Sequence, residues 1–71
     1  MYLRRLKDLR IDHDKKQKEI SALLDIDQRV YSIYETGKRD IPVRLLCKLA
    51  DYYGVSADYL LGRTDKPEVN R

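Results

Sequence analysis

The sequence predicts an all-α domain of five short helices. Three observations lead there. Apolar residues recur three or four positions apart, the spacing that lines one face of a helix. Residues that open or close helices (Asp, Ser, Pro, Gly) stand between those runs. No pair of alternating stretches is joined by a hairpin turn. At 71 residues the chain is one small domain, with little room for a deep pocket.

Leu3, Leu6 and Leu9 with Ile11 mark the first helix. Ile20, Leu23 and Leu24 mark the second, which opens near "DKKQKE" with Asp14 as its cap and Glu19 in its first turn. The next stretch, "QRVYSIYETGKRD" from Gln28 to Asp40, is harder, because Val30, Tyr31, Ile33 and Tyr34 are β-formers by propensity. Strict alternation is broken where Val30 abuts Tyr31 and Ile33 abuts Tyr34. Asp27 is a good N-cap and Gly37 a good stop, so the segment reads as a third helix. At roughly 100° per residue, Val30, Tyr31 and Tyr34 fall on one side, to be buried with Leu24. Gln28, Arg29, Ser32, Ile33 and Thr36 fall on the other. Pro42 occupies the first turn of a fourth helix and Gly54 closes it. Ser56 caps a last short helix, "SADYLLG", ended by Gly62. The domain is expected to run over 1–63, with 64–71 a loose tail.

Composition narrows the function. An apolar content of 42% and a charged content of 38% suit a folded, soluble chain. No apolar run is long enough to cross a bilayer, so no membrane partner is expected, and there is no signal-peptide pattern. The lone cysteine, Cys47, cannot form an internal disulfide and suits a reducing cytoplasm. The net charge is +3, all of it carried by Met1 to Leu24, where seven basic residues face four acids. Lys38 and Arg39 stand together after the third helix. Such placement fits a nucleic-acid partner, and equally an ordinary solvated surface.

Catalysis finds no support in these residues. The single histidine, His13, lies on a polar connecting segment. Cys47 has no Cys or His at metal spacing and reads as a small packing residue. "GKR" is a charged turn, since it lacks the glycine-rich approach and trailing Ser or Thr of a phosphate loop. The expectation is a binding protein without metal or cofactor.

The exposed face of the third helix is the informative part. Gln28, Arg29, Ser32 and Thr36 can hydrogen-bond base edges or phosphates, and none is acidic. Ile33 is either a scattered surface hydrophobe or a contact for a thymine methyl. The second and third helices are joined by "DID", the spacing of a helix-turn-helix. Together "LR", "QKEISALLDIDQRVYSIYETGKRDIP" and "LADYYGVSADYLLGRTD" resemble the Cro and phage-repressor type of helix-turn-helix domain, the XRE family, from Leu6 to Asp65. The resemblance implies a lambda-repressor-like five-helix fold that binds operator DNA, repression being the default. A protein-interaction module on the same fold, such as an antitoxin-like or adaptor protein, is the alternative.

The resemblance also implies roles. Gln17 stands where the family's second helix opens on a phosphate, with Lys16 beside it. Gln28, Arg29, Ser32 and Ile33 match the base-reading positions, while Thr36, Lys38 and Arg39 match the phosphate-contacting loop. Arg10 and Glu35 match an ion pair that locks the reading helix to the scaffold. The chain departs from the family at Asp25, where glycine is common, and at Ser21, where alanine is common and a buried hydroxyl needs a partner. Lys15 and Lys16 replace an apolar residue and a capping residue, leaving the start of the second helix poorly marked.

The fourth helix carries more apolar surface than one face needs. Val43, Leu46, Cys47, Ala50 and Tyr53 fall on one side, with Leu45, Leu49 and Tyr52 beyond. The excess is covered by the first and last helices, or it meets a second subunit. Leu45, Leu49 and Tyr52 are therefore the candidate contacts of a homodimer on DNA, with half-sites about 34 Å apart.

Overall fold

Helix ends in the computed structural model, which describes residues 1–68, follow local capping chemistry. The helices are α1 (Arg4–Asp12), α2 (Gln17–Leu23), α3 (Gln28–Glu35), α4 (Val43–Tyr53) and α5 (Ala57–Leu60), and the described residues contain no strand. Each helix closes in one manner. A residue just past the end turns left-handed, and the next N–H reaches back five residues to a carbonyl that the helix leaves unpaired. These bonds run from Lys15 to Arg10, Ile26 to Ser21, Lys38 to Ile33, Val55 to Ala50 and Arg63 to Asp58, at 2.9 to 3.1 Å. Glycine takes the left-handed position in three of them; Asp14 (φ 55°) and Asp25 (φ 56°) take it in the other two.

Asp14 therefore closes α1 and does not cap α2. The N-cap of α2 is Lys16, whose side chain has no acceptor to offer. Glu19 compensates from the first turn, accepting the Lys16 backbone N–H at 3.1 Å. Asp27 and Ser56 do cap their helices, accepting from the N–H groups of Arg29 (2.8 Å) and Tyr59 (3.0 Å).

α2 and α3 pack closely on each other, α1 lies against α3 and α5, and α4 lies against α5. Leu6, Ile20, Tyr31, Leu49 and Leu60 form the most deeply buried part of the core. Leu24 is buried as expected, while Tyr34 is only partly buried and Tyr31 takes the central place. The buried hydroxyl of Ser21 finds its partner in the Lys18 carbonyl at 2.9 Å.

α4 requires the largest correction. Leu45, Leu46, Leu49, Ala50 and Tyr53 face inward, so Leu45 and Leu49 are core residues and unavailable to a second subunit. Val43 and Cys47, expected inside, are exposed, as is Tyr52. The cause lies in α4's neighbours. Burial is nearly complete along the Leu45 flank, while on the Val43 flank Ala57 and Leu61 leave an apolar groove.

The segment after α5 is also more constrained than expected. The Arg5 guanidinium stacks over the Tyr59 ring at 4.0 Å and donates to the carbonyls of Tyr59 and Thr64, both at 2.7 Å. It reaches Asp65 Oδ1 at 3.0 Å, and Ser56 N–H donates to the Pro67 carbonyl at 2.9 Å. The stretch expected to be loose is thus tied down through Pro67; 69–71 lie outside the described residues.

Candidate nucleic-acid interface

The turn between α2 and α3 owes its shape to Asp25. Its left-handed backbone returns the Ile26 N–H to Ser21 and swings the chain into the Asp27 cap. α3 then crosses α2 so that a shallow, open groove forms between them. Gln17, Asp27, Gln28, Arg29, Ser32 and Ile33 line it. Residues from the start of α2 and the first turns of α3, eleven or more positions apart in sequence, thus share one surface. Gln28 and Arg29 are exposed, while Gln17, Ser32 and Ile33 are partly covered. Lys16 is exposed at the α2 N-cap, and Lys38 and Arg39 are exposed in the turn that follows α3. Thr36 is exposed too, but its hydroxyl donates to the Ser32 carbonyl at 2.8 Å. It has lone pairs to offer a ligand, and its proton is engaged.

Two contacts hold this surface in place. Arg10, near the end of α1, donates through Nε and Nη2 to the two carboxylate oxygens of Glu35, at 3.1 and 2.9 Å. Its Nη1 donates to the Lys15 carbonyl at 2.9 Å, so one guanidinium ties α1, the lead into α2 and the end of α3 together. The bond to Glu35 pushes the Arg10 pKa above its ordinary value. The second contact is at Gly37, where φ is +81° and a Cβ would lie 2.7 Å from Tyr2 Cα. Glycine here lets residues before α1 sit directly against the loop that carries Lys38 and Arg39.

On the buried side of α3, Tyr31 and Tyr53 place buried hydroxyls that have no hydrogen-bond partner among the described residues. Burial, with the Glu35 charge adding to it, raises the Tyr31 pKa. Burial likewise pushes Tyr53 up to about 12. The His13 ring packs on Tyr53 with centroids 4.9 Å apart, and its Nδ1 lies 2.9 Å from the Leu9 carbonyl. That position is structural.

No helix of the described residues is long and apolar enough to cross a membrane, and no group of three metal-ligating side chains occurs among them. The helix-turn-helix family profile matches residues 6–60. The chain belongs to this family. Its helix-turn-helix relatives are regulators of the XRE and phage-repressor type. The chain is 39% identical to the HTH-type transcriptional regulator ImmR of Bacillus subtilis, over 94% of this chain and 53% of that protein. Against the cryptic phage CTXphi transcriptional repressor RstR of Vibrio cholerae, identity is 31% over 78% of this chain and 50% of the other. The crystal structure of a transcriptional regulator from Listeria innocua matches all of this chain and 62% of its own, with a TM-score of 0.78 and 25% identity. The chain thus spans about half to three-fifths of the length of the relatives it matches.

One groove residue has a second role available to it beyond its sequence signal. The sequence marks Asp27 as a helix cap, and its side chain also lines the surface with the base-reading candidates. Its position, one residue before that run, was the available signal.

Proposed function

We propose that this domain binds double-stranded DNA sequence-specifically, with α3 in the major groove, and represses transcription by occupying a promoter. The observation that carries the proposal is the shared groove, which brings Gln17 beside Gln28, Arg29, Ser32 and Ile33. In this reading Gln28 and Arg29 hydrogen-bond base edges, while Ser32 and Ile33 add a short polar contact and an apolar one. Lys16, Gln17, Thr36, Lys38 and Arg39 flank that face and contact the phosphates, fixing register without reading sequence. The Arg10–Glu35 pair contributes rigidity rather than contact.

We also propose that two copies bind a two-fold symmetric site. The buried Leu45 and Leu49 take no part. Support comes from an open apolar groove lined by Ile41, Val43, Leu46, Cys47, Ala57 and Leu61, starting beside Asp40 just past the proposed phosphate loop. Exposed charges of both signs, Arg44 and Asp58, adjoin these residues in sequence. Such a mixture can pair across a two-fold axis.

Gel shifts against random duplex at low and moderate salt, followed by selection of bound sites from a random library, test both statements. A steep loss of affinity with salt and a palindromic motif with half-sites about one DNA turn apart are expected. A chain that retains no duplex at low salt does not act through DNA, and the interaction-module reading takes its place.

A further inference from the structure

Asp27 stands within the proposed reading surface and carries the wrong sign for a phosphate backbone. Its Oδ1 accepts the Arg29 N–H at 2.8 Å and so caps α3. Its side chain is exposed, and among the described residues it enters no ion pair and Oδ2 accepts no hydrogen bond. Capping does not require a charge. Serine and asparagine cap comparably, and this chain uses the neutral Ser56 to cap α5. A carboxylate at the mouth of a DNA-reading groove repels phosphates, and it can accept hydrogen bonds but not donate them.

The major groove presents two base donors, the amino groups of cytosine N4 and adenine N6. Adenine sets its N7 acceptor next to that donor, where it opposes a carboxylate; cytosine has no acceptor there. Arg29, two residues further along α3 and lining the same groove, suits the N7 and O6 acceptors of guanine. Guanine's partner presents the cytosine amino group alongside O6. An acid and a guanidinium so placed match the two halves of a C·G pair, or neighbouring pairs.

We propose that Asp27 is a specificity-determining residue, whose Oδ2 accepts a hydrogen bond from a cytosine N4 amino group and disfavours bases lacking a donor at that position. The inference rests on the DNA-reading function proposed above.

The test is selection from a random duplex library with the unmodified chain, Asp27→Ser and Asp27→Asn, alongside melting temperatures and affinity for random duplex. Both substitutions keep a capping oxygen, so both proteins should melt close to the parent. The parent motif should contain a cytosine position whose preference falls about tenfold in Asp27→Ser. Asp27→Asn, which adds a donor, should shift that position toward guanine or thymine. Both should bind random duplex more tightly, having lost a negative charge. If both variants fold and return the parent motif with undiminished preference, Asp27 is a cap alone and the inference is overturned. A parent chain that binds duplex but selects no motif overturns it as well. One that binds no duplex removes the DNA-reading function itself.

Discussion

The Arg10 guanidinium and the Glu35 carboxylate meet in parallel across two hydrogen bonds, joining the end of α1 to the end of α3. Only 14% of one side chain and 3% of the other are exposed. Removing one partner leaves a largely buried charge without its counter-ion, at a cost of up to about 3–5 kcal/mol. Glu35→Ala should therefore shift the urea midpoint far down. Arg10→Met with Glu35→Leu should recover much of the loss, since an apolar pair of similar volume leaves no orphan charge. If the double variant is no more stable than the single one, the pair is not the source of the destabilisation.

The two buried tyrosines make stability fall at high pH. Below about pH 10 their hydroxyls are protonated in both folded and unfolded chains and add no pH dependence. Above it the unfolded chain releases these protons while the folded one retains them, which favours unfolding. For Tyr53 the loss should run from about pH 10 to about 12, at roughly 1.4 kcal/mol per pH unit. Tyr53→Phe should flatten this limb in denaturant titrations while changing stability at pH 7 by less than about 1 kcal/mol. An unchanged alkaline limb in that variant would place its origin elsewhere.

Leu49 is fully buried and Val43 is largely exposed, at 0% and 74%, although both sit on α4. Leu49→Ala should cost about 2–5 kcal/mol through the cavity it leaves. Val43→Ser should stay within about 0.5 kcal/mol in the free protein. The same Val43 variant should weaken cooperative binding to a palindromic DNA site; equal cooperativity would remove Val43 from the proposed subunit contact.

Gly37 and Gly54 have similar left-handed backbones, with φ of 81° and 69°. A Cβ at Gly54 meets nothing within 4 Å, whereas one at Gly37 collides with the Tyr2 backbone. Gly54→Ala should cost about 1–2 kcal/mol, the ordinary penalty for that conformation. Gly37→Ala should cost clearly more, and it should weaken DNA binding by displacing the loop of Lys38 and Arg39. Equal melting temperatures for the two variants would show that Tyr2 yields without cost.

Arg29→Ala should lower affinity for the selected site by about 1–3 kcal/mol and relax preference at one position. Lys38→Ala should weaken all duplexes about equally and reduce the salt slope by about one. These two patterns separate base reading from phosphate contact. An Arg29 variant that loses random and selected DNA alike contacts only the backbone.

The helices were legible because their stops are local. Gly37, Gly54 and Gly62 mark three ends directly, and Ser56 and Asp27 mark two starts. Asp14 misled because aspartate serves both at N-caps and in left-handed turns, and only the return of Lys15 N–H to Arg10 decides between them. The face of α4 was ambiguous for another reason. Leu46, Ala50 and Tyr53 belong to either arc, and the choice between a Val43 flank and a Leu45 flank depends on neighbours that the helix's own sequence does not specify. In the groove, side-chain chemistry was readable position by position on α3. The presence of the Asp27 carboxylate there was not, because capping already accounted for that residue.

Arg5 draws residues near the two ends of the described chain to within hydrogen-bonding distance, from Tyr59 to Asp65. Tyr2 and Leu3 share a surface pocket with Leu60, Leu61 and Gly62. The segment leading into α1 and the segment leaving α5 therefore lie side by side. A peptide joining the segment after α5 to the segment before α1 would close a ring without unwinding any helix, and the connectivity could be cut instead at an exposed turn such as the one at Gly54. Closure of that ring restricts chiefly the unfolded chain. By loop-closure entropy it should add about 4 kcal/mol to a domain whose stability otherwise rests on one small core.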